Sequence, residues 1–273
     1  MVRVAHLERR AALVGGLEGR DLSGRDLKGM NLSKANLKGT NLTEANLKGA
    51  ILKGADLTQA DLPKVNAIGA DLSEAVLERA NLFRANLKEV KLEEADLKGA
   101  DLSWADLKEA NLEWATLDSA ILDHAFLAFV SLKGASCTRA NLTEAHIRAA
   151  DLRGADFRGA DLTGAHLEGS TLIGCLLLSS SLEGANLVGA DLTDADLTQA
   201  NLSKANLQAA GLERANLSGA NLSGADLARA DLTQADLTGA ILTGAVLTDS
   251  LYDDNTILPP SLSPSQLASM SKV

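Results

Sequence analysis

Aromatic residues are scarce in this chain of 273 residues: four Phe, two Trp and one Tyr. Proline is nearly absent too, since only Pro63 precedes the C-terminal tail. So few rings do not build the mixed core of an ordinary globular domain. They suit a core made by stacking one small apolar shape many times. Two cysteines, four histidines and no Gly-rich loop opening a helix leave little for catalysis or metal chemistry. No apolar run approaches about 18 residues, so no membrane span is expected. The start, from Met1 to Arg10, carries too much charge for the apolar stretch of a secretion signal, and a cytoplasmic chain is expected. A net charge of −10 argues against direct binding of nucleic acid.

What the chain has is a period. An apolar residue returns at every fifth place from Leu17 to Tyr252, and about 43 of about 48 such places hold Leu. The exceptions are Ala67, Cys137, Ile147, Phe157 and Tyr252. Alanine usually stands two residues before each leucine, and Asp or Asn often one before, as in Ala45-Asn46-Leu47-Lys48-Gly49. Five matches neither the 3.6 of a helix nor the 2 of a strand. A chain that turns a corner every five residues is a solenoid.

The aspartates select the number of units per coil. Sixteen of them precede a leucine place, held by Phe157 after Asp156, and no two are twenty residues apart. Like charges stacked directly over one another destabilise parallel coils. A twenty-residue return sets Asp21 over Asn41, Asp61 over Asn81, Asp71 over Lys91, Asp191 over Gly211 and Asp196 over Asn216. Four pentapeptides per coil are therefore expected, giving about twelve coils at about 4.8 Å each. Leu and Ala fill the lumen, and the last two places of each unit turn the corners in water.

These repeats resemble the pentapeptide-repeat family, whose motif is A-(D/N)-L-x-x. The resemblance runs from about residue 15 to 257 and implies an all-β fold, a right-handed quadrilateral parallel β-helix. The expected organisation is an N-terminal helical cap over 1–16, the β-helix over 17–257 as one body, and a tail over 258–273. Within the cap, residues 3–14 read as a short amphipathic helix stopped by Gly15-Gly16. At the far end, Tyr252 and Ile257 are expected to plug the last coil, and the Ser-rich residues 261–273 to be mobile or lightly packed. Tyr252-Asp253 ahead of Pro259-Pro260 is similar to the C-termini of cyanobacterial members.

The repeat register aligns the outward residues in columns. Phe83, Trp104 and Ile121 fall at outward places in three successive coils, with Phe126 and Phe129 around the corner. Such a patch marks a partner site or merely shields corners, and both readings stand. Trp114 belongs to the opposite face. Lys28, Lys48, Lys88 and Lys108 share a column broken by Ile68, which reads first as a solvated face. Asp151, Asp191 and Asp231 share another, beside Asp156, Asp196 and Asp236, as an acidic lattice. His146 and His166 stack one coil apart, better read as an aromatic pair than as metal ligands, since only Asn186 follows. Cys137 and Cys175 replace lumen residues and read as buried thiols. Residues 1–100 hold about 16 basic and 14 acidic residues against about 10 and 22 beyond, which reads as drift along a solvated surface before it reads as two interaction faces.

The expected function is a non-enzymatic scaffold, a monomer or weak dimer, binding a protein partner with no cofactor. The resemblance implies an alternative, because some pentapeptide-repeat proteins bind DNA gyrase as DNA mimics and protect it from inhibitors.

Overall fold

The computed structural model describes residues 16–273. The helix expected over 3–14 lies outside the described residues. Two compact units are present, Met1–Ser136 and Cys137–Val273. Both wind in the same manner. Isolated parallel bridges join residue n to residue n+20, including Asp21 to Asn41, Asp61 to Asn81 and Asp71 to Lys91 in the first unit. In the second unit, Asp191 bridges Gly211 and Asp196 bridges Asn216. These are the pairs that charge exclusion selects. Four five-residue repeats complete each return.

The motif follows from finding a partner for every amide. In Asn41-Leu42-Thr43-Glu44-Ala45, Asn41 N donates to Arg20 O at 2.9 Å and Leu42 N to Asp61 O at 2.6 Å. Glu44 N donates to Pro63 O at 3.0 Å, and Ala45 N closes the corner on Leu42 O at 2.9 Å. The Thr43 amide has no backbone partner of this kind. It donates instead to Asn41 Oδ1 at 3.0 Å, and the Thr43 hydroxyl donates to the same oxygen at 2.6 Å. Where Asp or Asn precedes the leucine, it therefore supplies the one acceptor the backbone lacks, as in other Asx turns. Ser or Thr after the leucine adds a second bond to it.

The second corner residue takes positive φ, 56° at Glu44 and 60° at Trp104. That conformation throws its side chain outward. The lumen is filled as expected: Leu42, Ala45, Leu47 and Ala50 are fully buried in the first unit, Leu187, Leu197 and Leu207 in the second. Each buried Leu contributes about 1.5–3 kcal/mol. Phe157 is fully buried at a leucine place. Polar residues at alanine places bond to leucine-place carbonyls: Thr40 Oγ1 to Leu17 O at 2.7 Å, Ser180 Oγ to Leu177 O at 2.7 Å.

The tail is ordered as a folded cap, though its helix buries no residue, so of the two expectations the lightly packed one fits. Strand β1 (Leu251–Tyr252) pairs in parallel with β2 (Ser271–Lys272), again twenty residues on. Between them lies helix α1 (Pro264–Ser269). Ser263 caps its N-terminus in a capping box with Gln266, and Pro264 occupies the first turn. Gln266 Nε2 then donates to Leu242 O at 2.8 Å and Ala245 O at 3.1 Å, satisfying carbonyls of the last full coil. Pro259-Pro260 ends one run of bridges, yet the chain returns to the edge beyond it. Ile257 does not plug the lumen. It bridges Asp236 at an outward place, one residue beyond the usual register, and is 52% exposed.

That extra residue lies in the turn around Asp253. Its carboxylate accepts from Gln234 N at 3.0 Å, from the Thr256 hydroxyl at 2.8 Å and from Asn255 N at 3.2 Å. The backbone donor from Gln234 leads these in pulling its pKa down to about 2. A depressed carboxylate pKa adds stability that is present above the unfolded value near 4 and is lost as pH falls through about 2. Carbon-detected NMR titration should find Asp253 ionised at pH 3, and an ordinary midpoint near 4 would remove this account of the turn.

Candidate partner-binding site

The first unit carries the aromatic patch. Arg84, Trp104 and His124 occupy the second corner place in three successive coils, tied by the bridges Asn81 to Asp101 and Asp101 to Ile121. They form a stack. The Arg84 guanidinium lies 5.1 Å from the Phe83 ring centre and 5.9 Å from that of Trp104. The Trp104 and His124 ring centres are 4.4 Å apart, with the planes tilted by 30°. Below them, Ser103 Oγ bonds both Asp101 Oδ1 and Asp123 Oδ1 at 2.6 Å. Trp104 remains 41% exposed.

The neighbouring corner repeats the chemistry. Lys108 Nζ lies 5.4 Å from the Phe126 ring centre. Phe129 stands at a second corner place and is 64% exposed, and Ile121 is 40% exposed at a bridging place. The structure thus joins Phe83 to Trp104 through Arg84 and sets Phe126 under Lys108. No ring or cation contact ties Ile121 or Phe129 to that stack among the described residues. Trp114 is 60% exposed and lies flat on the Gly134 turn, where a Cβ would meet ring atoms at 2.3 Å. Other residue types also take positive φ at this corner place, so it is the ring, and not the turn, that requires Gly134 at φ +66°.

The basic column divides at Ile68. Lys88 Nζ is 3.1 Å from Asp106 Oδ2, and Lys108 covers Phe126, while Lys28 and Lys48 lie on the other side of the break.

In the second unit the acidic lattice has the expected alternation: Thr171 separates Asp151 from Asp191, and Leu176 separates Asp156 from Asp196. Its charge is partly cancelled. Arg153 Nε bonds Asp151 Oδ1 at 2.8 Å, and Arg158 Nε bonds Asp156 Oδ1 at 2.9 Å. Asp191, Asp196 and Asp231 each accept from the amide and hydroxyl of the threonine two residues on, and Asp236 from the Thr238 amide. These carboxylates serve the fold first. Hydrogen bonds from Thr238 hold Asp236 below the ordinary carboxylate pKa.

His146 and His166 stack with ring centres 4.8 Å apart and planes within 9°. Glu168 lies 3.7 Å from His166 Nδ1 but is bound by Arg148 and by Asn186. Among the described residues no group of three His, Cys, Asp or Glu side chains could hold a metal ion. Cys137 and Cys175 are buried thiols outside any disulfide, and burial pushes the Cys175 thiol up to about 12. Its Sγ donates to Leu152 O, as the lumen hydroxyls do. Among the described residues no helix is long and apolar enough to cross a membrane.

The family model for pentapeptide repeats (8 copies) matches overlapping stretches that together run from residue 17 to 249. This chain belongs to the pentapeptide-repeat family. Its fold is that family's right-handed β-helix. It is similar to HetL, a pentapeptide repeat protein involved in heterocyst differentiation regulation from the cyanobacterium Nostoc sp. strain PCC 7120. The identity is 31% over 93% of this chain and 98% of that one, with a TM-score of 0.30. A second pentapeptide repeat protein from Nostoc PCC 7120 is 32% identical over 45% of this chain and 84% of its own, with a TM-score of 0.33. QnrB1, a plasmid-mediated fluoroquinolone resistance protein, is 20% identical over 72% of this chain and 89% of its own, with a TM-score of 0.34. No curated protein matches the chain.

In this pentapeptide-repeat protein, reading the rings alone misses Arg84 and His124, which hold the aromatic stack together. The signal is present in the sequence: residues 84, 104 and 124 share one column once the coil is set at twenty residues.

Proposed function

We propose that this pentapeptide-repeat protein is a non-catalytic, cytoplasmic scaffold, which binds a protein partner through the aromatic and cationic face of its first unit. The carrying observation is the Phe83, Arg84, Trp104 and His124 stack beside the Lys108 and Phe126 couple. Outward places elsewhere are mostly polar, and Trp, Phe and Arg are the residues that anchor interfaces. Truncating such an anchor costs about 2 kcal/mol or more, which is about thirtyfold in affinity. Affinity capture from the native cell with Phe83→Ser, Trp104→Ser and Phe126→Ser together is expected to lose the partner that the parent chain retains. An unchanged set of captured proteins would remove the patch from this reading.

A DNA mimic acting on gyrase is the second reading, and the alternating aspartates of the second unit are what favour it. Charge density weighs against it. Duplex DNA carries one charge per about 1.7 Å of axis, whereas two columns occupied on every second coil give about one per 4.8 Å. Arg153 and Arg158 thin the lattice further. A gyrase supercoiling assay with added protein decides between the two.

A further inference from the structure

We propose that the face between the Arg84 and Lys108 corners docks an acidic, extended segment of a protein partner. Its carboxylates pair with those two cations while one of its apolar side chains packs on Trp104, which stands one coil beyond Arg84 in the same column. The inference rests on the partner-binding reading above and names the chemistry of the partner.

Each cation is held by a ring. Arg84 lies over Phe83 and Trp104, and Lys108 over Phe126. Neither has a carboxylate within ion-pair distance among the described residues. Their neighbours in the same two columns do: Lys64 pairs with Glu44 at 3.3 Å and Lys88 with Asp106 at 3.1 Å. A guanidinium held beside rings and without an acidic partner keeps N–H groups for a carboxylate, which it can grip with two bonds.

The spacing suits an extended chain. Arg84 and Lys88 are four residues apart, at most about 14 Å, and Lys108 is one coil step of about 4.8 Å beyond. A strand places alternate side chains on one side about 6.6 Å apart. Acidic residues at the first and fifth places of a bound segment, about 13 Å apart, reach the two corners, and an apolar residue among those between them meets the Trp104 ring that flanks Arg84.

The carboxylates already on this face are engaged. Asp106 holds Lys88 and the Lys108 amide, and Asp123 holds the Ser103 hydroxyl. Glu89 and Glu109 follow the two lysines in the chain and lower the net charge. Attraction is therefore confined to two points, which favours a short acidic peptide over a polyanion such as nucleic acid.

The test uses the full chain with Trp114→Phe, which leaves Trp104 as its one tryptophan. Its emission is titrated with the blocked peptide Asp-Ser-Leu-Ser-Asp, the same peptide with Lys for Asp, and an eight-nucleotide oligo(dT). A saturable change is expected with the acidic peptide alone, weakened at least about tenfold by Arg84→Gln with Lys108→Gln. An equal response to the lysine peptide, a stronger response to oligo(dT), no saturable response, or no effect of the double substitution would overturn the inference. Capture of cellular partners separates the two readings. If the Arg84→Gln, Lys108→Gln chain still captures a partner that the Phe83, Trp104 and Phe126 substitutions lose, the acidic chemistry is wrong and the patch stands. If neither set changes capture, both fail.

Discussion

Leu107→Lys is expected to abolish folding of the coils around it, while Leu107→Ala lowers stability by about 2–5 kcal/mol. Leu107 is fully buried, and its amide donates to Phe126 O at 2.8 Å, so its side chain has no route to water. An ammonium in that lumen has no carboxylate to meet, because lumen places hold Leu, Ala and a few hydroxyls. In a stack where each coil touches only its neighbours, the defect opens the column on both sides. Circular dichroism on heating should show a lowered midpoint for Leu107→Ala. For Leu107→Lys, hydrogen exchange should show the amides of residues 87–127 unprotected at room temperature. Native protection across those residues would mean that this place does not face a closed lumen.

Asn216→Asp is expected to destabilise the second unit by about 1–3 kcal/mol at neutral pH. Asn216 bridges Asp196 on one side and Asp236 on the other, so the substitution lines up three carboxylates on successive coils. At about 4.8 Å each new pair costs about 0.9 kcal/mol in a water-like medium and more where water is partly excluded. Physiological salt screens little at that range. The turn itself survives, because an aspartate still accepts from the Ser218 amide and hydroxyl, at 3.0 and 2.6 Å in the parent. Added repulsion shifts the carboxylate titration upward from its position in the parent chain. The loss therefore fades as pH falls through the carboxylate range and the added charge is neutralised, and it is complete at neutral pH. Asn201→Asp is the control, since its neighbours are Ser181 and Asn221. Equal midpoints for the two variants in urea at pH 7 would refute the stacking penalty.

The twenty-residue return was legible because charges repel. The missing Asp–Asp pairs carry that geometry in the sequence, and the bridges repeat it pair by pair. The lumen was legible as well, since the five amides of a unit and its Leu and Ala are satisfied by nearest neighbours. The aromatic patch was legible only in part. Phe83, Trp104 and Phe126 stand out as rings, whereas Arg84 and His124 look like two more solvated polar residues until the corner at positive φ aims them along one column. The tail was legible only in part for a related reason. Its composition suggests a loose end, yet the Ser263 and Gln266 cap forms against carbonyls that only the last coil presents.

Ion pairs mark the boundary between the two kinds of information. Lys38 reaches Asp56, Lys64 reaches Glu44 and Lys53 reaches Glu74, at separations of eighteen, twenty and twenty-one residues. By itself the sequence determined the inside, the corners and the coil length, because those depend on backbone bonds and small apolar shapes that repeat without choice. The tertiary structure alone decided which outward side chains meet and how the last coil is closed. A long side chain spans more than one coil step, so several partners lie within its reach, and only the folded surface selects among them.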